Sequence, residues 1–434
     1  MPDVGVMRRF NTDDPGFQAE FTAFVNARRG SPAEVDLAVA EIIERVRVDG
    51  LAAVLDYTRR FDRADLDEAS IRVTPEEIEA GAAACDAETR EAIAFAAQRI
   101  EAYHARQRPA DAWFVDEAGV ELGWRWTALE AVGIYVPGGR AAYPSTVLMN
   151  AVPARVAGVD RIAMVTPPGR LQSAVLAAAK QAGVTEIWRV GGAQAAAALA
   201  HGAGPIRPVD KIVGPGNAYV TAAKRRLYGV VGIDSLAGPS EIVVVADNQN
   251  NPDWIAADLL SQAEHDPAAQ SILITDDAAF AAAVEAAIEG QLATLATAED
   301  ARASWRDHGA VVIAPLDQAP ALVDAIAPEH VEFAVEAPER LADRVRHAGA
   351  IFLGRYTPEA IGDYVAGSNH VLPTSRAARF SSGLSVFDFL KRTSIVKCDA
   401  ESIARLGPAT VTLARAEGLP AHARSVSIRL NARE

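Results

Sequence analysis

From residue 131 onward the chain alternates short apolar runs with longer helical ones, and that alternation constrains the fold more than any other feature. AVGIYVPGG, RIAMVTPP, EIWRVGG and KIVGPGN have the look of strands that close on glycine or proline turns. STVLMNAVPARVAG, LQSAVLAAAKQAG, AQAAAALAHG and AYVTAAKRRLYG carry the spacing of helices between them. Strands and helices in this order build a parallel, doubly wound sheet. A second array begins at Ser240: EIVVVAD, SILITDD, GAVVIAP, HVEFAV and AIFLG are its strands, NPDWIAADLLSQAEHD and AAFAAAVEAAIEGQLATL two of its helices. The fold expected is therefore α/β: two doubly wound, Rossmann-like domains with a cleft between them, a helical N-terminal region and a C-terminal arm.

Residues 16 to 107 have an almost continuous helical pattern, with Ser31 and Pro32 as an N-cap and first-turn pair and Gly50 as a C-cap. The segment from about 378 ends in a helix, SIARLGPATVTLARAEG, and a polar tail. It is too short for a domain and suits an arm that packs on a partner.

Half of the 434 residues are apolar, ample for a buried core. The net charge of -15, from 57 acidic and 42 basic side chains, argues against nucleic acid or an anionic membrane as partner. Two cysteines, Cys85 and Cys398, cannot form a disulfide framework, which suits a reducing compartment. The first residues lack a signal-peptide core, and no apolar run is long enough to span a bilayer. The expected location is the cytoplasm.

Five motifs could carry chemistry. Gly214 and Gly216 in KIVGPGNAYV open a helix at a strand end, where free N–H groups and the helix dipole suit a pyrophosphate. Tyr219 stands where the third glycine of the dinucleotide fingerprint belongs. Gly191-Gly192 and Gly138-Gly139 end strands in the same way; such turns are also common for geometry alone, but three at the carboxyl ends of one sheet favour a nucleotide. Gln262 and His265 lie three apart on a helix and share a face; taken alone, they fit an exposed polar helix end better than a metal site. Glu329-His330 offers two proton-transfer groups of different pKa; taken alone, it fits a surface pair at a helix-to-strand junction better. Asp363 and His370 lie in GDYVAGSNHVLPT, too rich in Gly, Ser, Asn and Pro for regular structure. Glu417 and His422 follow the last helix. His104, His201, His308, His347 and both cysteines call for no function.

These segments converge. VPGGRAAYPS, RVGGAQA, VGPGNAYV, AGPSEIVVVAD, DLLSQAEHDP, APEHVEF, GDYVAGSNHVLPT and AEGLPAHARSVSIRLN occur in the order seen in histidinol dehydrogenases, and the resemblance covers nearly the whole chain. It implies NAD-linked, zinc-dependent oxidation of L-histidinol to L-histidinaldehyde and then to L-histidine, the last steps of histidine biosynthesis. By position it implies Gln262, His265, Asp363 and His422 as ligands of one zinc per subunit, and Glu329 and His330 as the catalytic proton-transfer pair. It implies substrate contacts from Ser240 and Glu417 and from Gln262, His265, Glu329, His330, Asp363 and His422. Tyr135, Gln194 and Asn217 would touch NAD. The family is homodimeric, so Glu417 and His422 would act across the interface. The division implied is an N-terminal arm (1–23), a first domain (24–131 plus 238–377) with the metal and catalytic residues, an NAD-binding domain (132–237) and an arm (378–434). Arg140, Val331 and Phe333 depart from the usual residues, but none is an implied ligand.

Three other readings compete: a zinc dehydrogenase that oxidises another alcohol once, a zinc hydrolase using Glu329, and a two-lobed binding protein without chemistry. The glycine turns speak against the hydrolase, the gathered acids and imidazoles against the binding protein. Imidazole and oxygen ligands would also accept manganese or cobalt.

Overall fold

The computed structural model describes residues 7–27, 33–138 and 143–430. The expected cap pair Ser31-Pro32, together with Gly139 and Arg140, lies outside the described residues. The chain begins with β1 (Arg8–Asn11), α1 (Phe17–Asn26), α2 (Ala33–Asp49), α3 (Leu51–Asp62), β2 (Arg72–Val73), α4 (Pro75–Ala84) and α5 (Ala87–Ala105). β3 (Ala112–Val115) and β4 (Glu121–Ala128) follow. Next come β5 (Ala131–Tyr135), α6 (Pro144–Ala157), β6 (Arg161–Thr166), α7 (Ser173–Ala182), β7 (Glu186–Arg189), α8 (Gly192–His201), β8 (Lys211–Val213), α9 (Ala218–Leu227) and β9 (Gly232–Ile233). The second array is β10 (Glu241–Ala246), α10 (Pro252–Ala263), β11 (Gln270–Thr275), α11 (Ala278–Leu292), α12 (Ala298–His308), β12 (Ala310–Ile313), α13 (Ala319–Ile326), β13 (His330–Ala334), α14 (Glu339–Ala342), β14 (Ala350–Leu353) and α15 (Glu359–Tyr364). β15 (Leu390–Lys397), α16 (Ala400–Ala416) and α17 (Pro420–Leu430) complete the chain.

Two six-stranded sheets result, ordered β2-β7-β6-β5-β8-β9 and β1-β12-β11-β10-β13-β14. All neighbours are parallel except β2, which runs antiparallel to β7. Each central strand is apolar on both faces, as a sheet covered twice by helices requires. Val243 and Val245 of β10 face α1 and α13, while Ile242 and Val244 face α10 and α11. β1, expected as part of an N-terminal arm, instead pairs in register with β12, and its Phe10 packs with Phe21 and Phe24 of α1.

The helices do not divide as expected. Residues 24–131 were grouped with 238–377, yet α2 and α3 share a core with the other sheet through Val39, Val46, Val54 and Tyr57 against Trp188 and the alanines of α8. Ile93, Ala97 and Ile100 of α5 pack with α6 and α7. The reason is complementarity of apolar faces: α8, almost all alanine, lets α2 and α3 approach closely. A third, antiparallel sheet (β15-β4-β3) was not foreseen. It ties the start of the arm to residues 112–128, with Leu390 opposite Ala128 and Lys397 opposite Glu121. The polar tail expected after α16 is the helix α17, packed closely enough that a Cβ on Gly407 would meet Leu430.

The turn after β8 is held by a buried ion pair. Lys224 of α9 pairs with Asp234 and donates to the carbonyl of Gly214 (3.0 Å), while Asp234 accepts from the Gly214 N–H (2.7 Å). Removing one partner strands the other charge. Asp234→Ala should therefore lower stability by about 3 kcal/mol in urea unfolding; a loss within about 0.5 kcal/mol, the range of an ordinary surface change, would contradict this role of the pair.

Candidate active site

Parallel pairing of β10 with β13 sets Ile242 opposite His330. This register brings one residue, Glu241, between Glu329 and His330. The Glu241 N–H donates to Oε2 of Glu329 (3.1 Å), and the Glu241 carbonyl lies 3.1 Å from Nδ1 of His330. A carbonyl only accepts, so Nδ1 carries the proton and Nε2 presents a lone pair. That nitrogen is buried without a hydrogen-bond partner, 3.5 Å from Oε1 of Glu359. Both members of the expected catalytic pair are buried (6% and 4% exposed), so they are not the surface pair that the sequence also allowed.

Burial pushes the His330 pKa down to about 4, against the opposing pull of Asp363, so the imidazole is neutral at neutral pH. The Glu329 carboxyl is held well above the usual carboxylate range, first by burial and then by the charges of Glu241, Glu359 and Asp363.

Two helices complete the cluster. α15 carries Glu359 and Asp363 one turn apart; with His330 they bring one ligand atom each within 4.8 Å of one another. α10 carries Ser261 and Gln262, and His265, expected on the same helix, lies two residues past its end. The Ser261 hydroxyl lies 3.3 Å from Glu359, and its carbonyl accepts Nδ1–H of His265 (2.8 Å), which leaves Nε2 of His265 as an acceptor. Oε1 of Gln262 is buried without a partner. His265 is exposed, yet close enough for its charge to act on His330 and His370. Orphaned Gln262 and Glu359 oxygens beside imidazole nitrogens, with no thiol, form a donor set that fits a divalent cation of the zinc type.

Of the remaining expected residues, Ser240 directly precedes Glu241, at the rim of this cluster. Glu417 and His422 are exposed on the α16–α17 pair and are not among the residues of the chain's own His330–Glu359–Asp363 group. Tyr135, at the end of β5, accepts the Gly192 N–H (2.9 Å), and burial raises its pKa to about 12. Gln194 lies in the first turn of α8, buried, with Oε1 unpartnered. Asn217 caps α9 by accepting from the N–H groups of Tyr219 and Val220, so its amide nitrogen is what it could offer a ligand.

Sequence reasoning missed Glu359 and Glu241. Glu359 stands four residues before Asp363, a spacing that could have flagged it. His370, noticed but given no role, donates from Nδ1 to the Asp363 carbonyl (3.0 Å). His104, expected to be bland, is fully buried: it bonds Gln107 (2.7 Å) and accepts from Asn369 (3.3 Å), tying α5 to the segment that carries His370. Behind Glu359 lies an acid pair, buried Glu332 and half-buried Asp258, joined by a hydrogen bond.

A family model described as histidinol dehydrogenase matches residues 26–430. The chain is 81% identical over 424 residues to a histidinol dehydrogenase of Caulobacter vibrioides, covering 98% of this chain and 99% of that one. It is 62% identical to that of Brucella suis biovar 1, covering 96% and 98%. The crystal structure of histidinol dehydrogenase from Elizabethkingia anophelis superimposes with a TM-score of 0.93 at 36% identity, covering 99% of each chain.

The acid pair yields a pH prediction. Burial and Asp258 raise the Glu332 pKa to about 9, above its ordinary value of 4.5. The stability this gives is complete below pH 4.5 and is lost as pH rises through about 9. Metal-free protein should thus lose stability between pH 6 and 9, and Glu332→Gln should escape roughly 2 kcal/mol of that loss at pH 9. Identical pH profiles of urea unfolding for the two proteins would contradict it.

Proposed function

The chain belongs to the histidinol dehydrogenase family of oxidoreductases, and from that premise we propose that it oxidises L-histidinol to L-histidine in two NAD-linked steps, with zinc at the α10–α15 cluster. The observation that supports this most is the buried, neutral His330, with Nδ1 bound to a carbonyl and Nε2 left free beside Glu359. Histidinol oxidation is the family's reaction; the cofactor, the metal and the residue roles that follow are the proposal.

Gln262, His265, Asp363 and His422 of a second copy of this chain would hold the metal. A zinc ion held there would supply an anchor for the imidazole and amine of the substrate, and bound NAD would supply the hydride acceptor. His330 takes the hydroxyl proton at Nε2, the one ring nitrogen not committed to the backbone. It acts again when the hydrated aldehyde is oxidised. Glu329 deprotonates the water that adds to the aldehyde. Its raised pKa in the chain alone means that a cation at the cluster would favour the ionised form this step needs. Glu417 and Ser240 would contact the substrate, Glu417 from the neighbouring copy. The exposed Leu406, Leu413, Leu419 and Ile428 on the arm are consistent with burial against a partner.

Purified zinc-loaded protein should form two NADH per L-histidinol, with L-histidine as product. One equivalent would mean a single-step dehydrogenase, and none would leave the oxidant unsupported. His330→Asn should slow both oxidations on the order of a hundredfold or more. Glu329→Gln should slow mainly the second, with aldehyde oxidation measured separately; equal losses would contradict the division of roles. Chelation of the metal should raise the KM for histidinol, and an unchanged KM would contradict the anchoring role.

A further inference from the structure

We propose that Asp62, the last residue of α3, accepts the ribose hydroxyls of the bound dinucleotide and makes the site select the cofactor without a 2′-phosphate. This rests on the NAD reading above. One oxygen of the Asp62 carboxyl, Oδ2, is buried without a hydrogen-bond partner. Burial alone raises its pKa, and no described basic group offsets its charge. Such a group costs stability unless a ligand supplies donors.

Its surroundings are those of the expected cofactor residues. The Asp62 charge reaches the buried hydroxyl of Tyr135, the group that accepts from Gly192 at the head of α8. One turn earlier on α3, the Thr58 hydroxyl is buried and unpartnered. So are Oε1 of Gln194, in the first turn of α8, and the hydroxyl of Thr166, the last residue of β6. Tyr57, Tyr135, Trp188 and Ala193 belong to one core, which joins α3 to the ends of β5 and β7. Thr166 and Gln194 thus leave buried polar atoms without partners at or just beyond the ends of parallel strands, where open α/β sheets bind ligands, and Asp62 acts on Tyr135 at the end of a third.

Chemistry selects the part of the ligand. A pyrophosphate only accepts and carries negative charge, so a carboxylate would repel it. The donors in a dinucleotide are the ribose hydroxyls, the carboxamide and the adenine amine. The two oxygens of a carboxylate match a vicinal diol, and the same charge repels a 2′-phosphate. Asp62 comes from a helix outside the sheet, so the usual spacing from a glycine fingerprint could not reveal it.

The test is equilibrium binding, by calorimetry on the full chain, of NAD, NADP and ADP-ribose. Asp62→Asn, which keeps the shape, and Asp62→Ala are compared with the parent, and their unfolding midpoints are checked. The expected result is that both variants bind NAD and ADP-ribose about tenfold more weakly, while NADP loses less or gains. The preference for NAD over NADP then falls, by the full factor or more where NADP binding is unchanged or gains. ADP-ribose lacks the nicotinamide, so an unchanged Kd for it with weakened NAD would assign Asp62 to the carboxamide and overturn the proposal. Unchanged Kd values throughout would overturn it as well. Failure of the parent chain to bind NAD or ADP-ribose would instead overturn the oxidant reading, and the assignment of Asp62 with it.

Discussion

The backbone of Glu241 makes the contacts on which the rest of the candidate site depends. Its N–H holds the Glu329 carboxyl and its carbonyl fixes the His330 ring. Neither contact needs a dedicated side chain; both follow from the parallel register of β10 and β13. That register is strongly specified because both strands are buried throughout. Val331 and Phe333 fill the core toward α1 and α13, which leaves His330 and Glu332 on the face toward α10. A slip of one residue would exchange these sets, put two polar groups into the apolar core and strip His330 from its partner. Catalytic geometry and core packing are thus one constraint.

The electrostatics follow from the same burial. A neutral imidazole sits among Glu241, Glu329, Glu359 and Asp363, with the Glu332–Asp258 pair behind. In a low-dielectric interior, so many carboxyls cannot all ionise: burial first, and neighbouring negative charge after it, raise the pKa of Glu329, Glu332 and Glu359. The arrangement suits a divalent charge, which would reverse the sign of the local field acting on every one of them. Orphaned oxygens on Gln262 and Glu359 lie on the two helices that frame the cluster, where such a charge would sit. The ligand spacing alone, Q-x-x-H, carried far less information than these unpaired atoms do.

Much of the fold was legible because strands buried on both faces write themselves as unbroken apolar runs; all ten strands from β5 to β14 except the two-residue β9 lie where the sequence suggests. What was not legible has physical causes. β3, β4 and β15 form an antiparallel ribbon that exposes large apolar residues on both faces, Trp113 on one and Phe114 and Val396 on the other, so no clean alternation marks it. The allegiance of α2 and α3 depends on the close approach allowed by alanine in α8, a property of two distant segments together. In the candidate site, Glu329, His330, Gln262, Asp363 and His265 are the residues that the motifs single out. Glu241 and Glu359 are not among them, because one acts through its backbone and the other is an ordinary glutamate until a helix turn sets it beside Asp363.

The glycine turns carry a related lesson. They suggested a pyrophosphate cradle, but their glycines are required by the protein itself. A Cβ on Gly214, at φ +106°, would meet the Tyr135 carbonyl at 2.4 Å; one on Gly191 would meet Pro167 at 2.4 Å, and one on Gly216 the side chain of Val220 at 2.5 Å. Packing thus accounts for all three, and a glycine that packing demands says nothing about a ligand. The polar atoms beside those turns are different. Packing did not require Gln194, Thr166 or Asp62 to leave an oxygen buried and unpartnered; a hydrophobic residue of similar size would cost less there. A polar group from which the fold gains nothing fits contact with a molecule other than the chain, and that reasoning applies to the His330–Glu359–Asp363 cluster and to the strand ends beside Tyr135 alike.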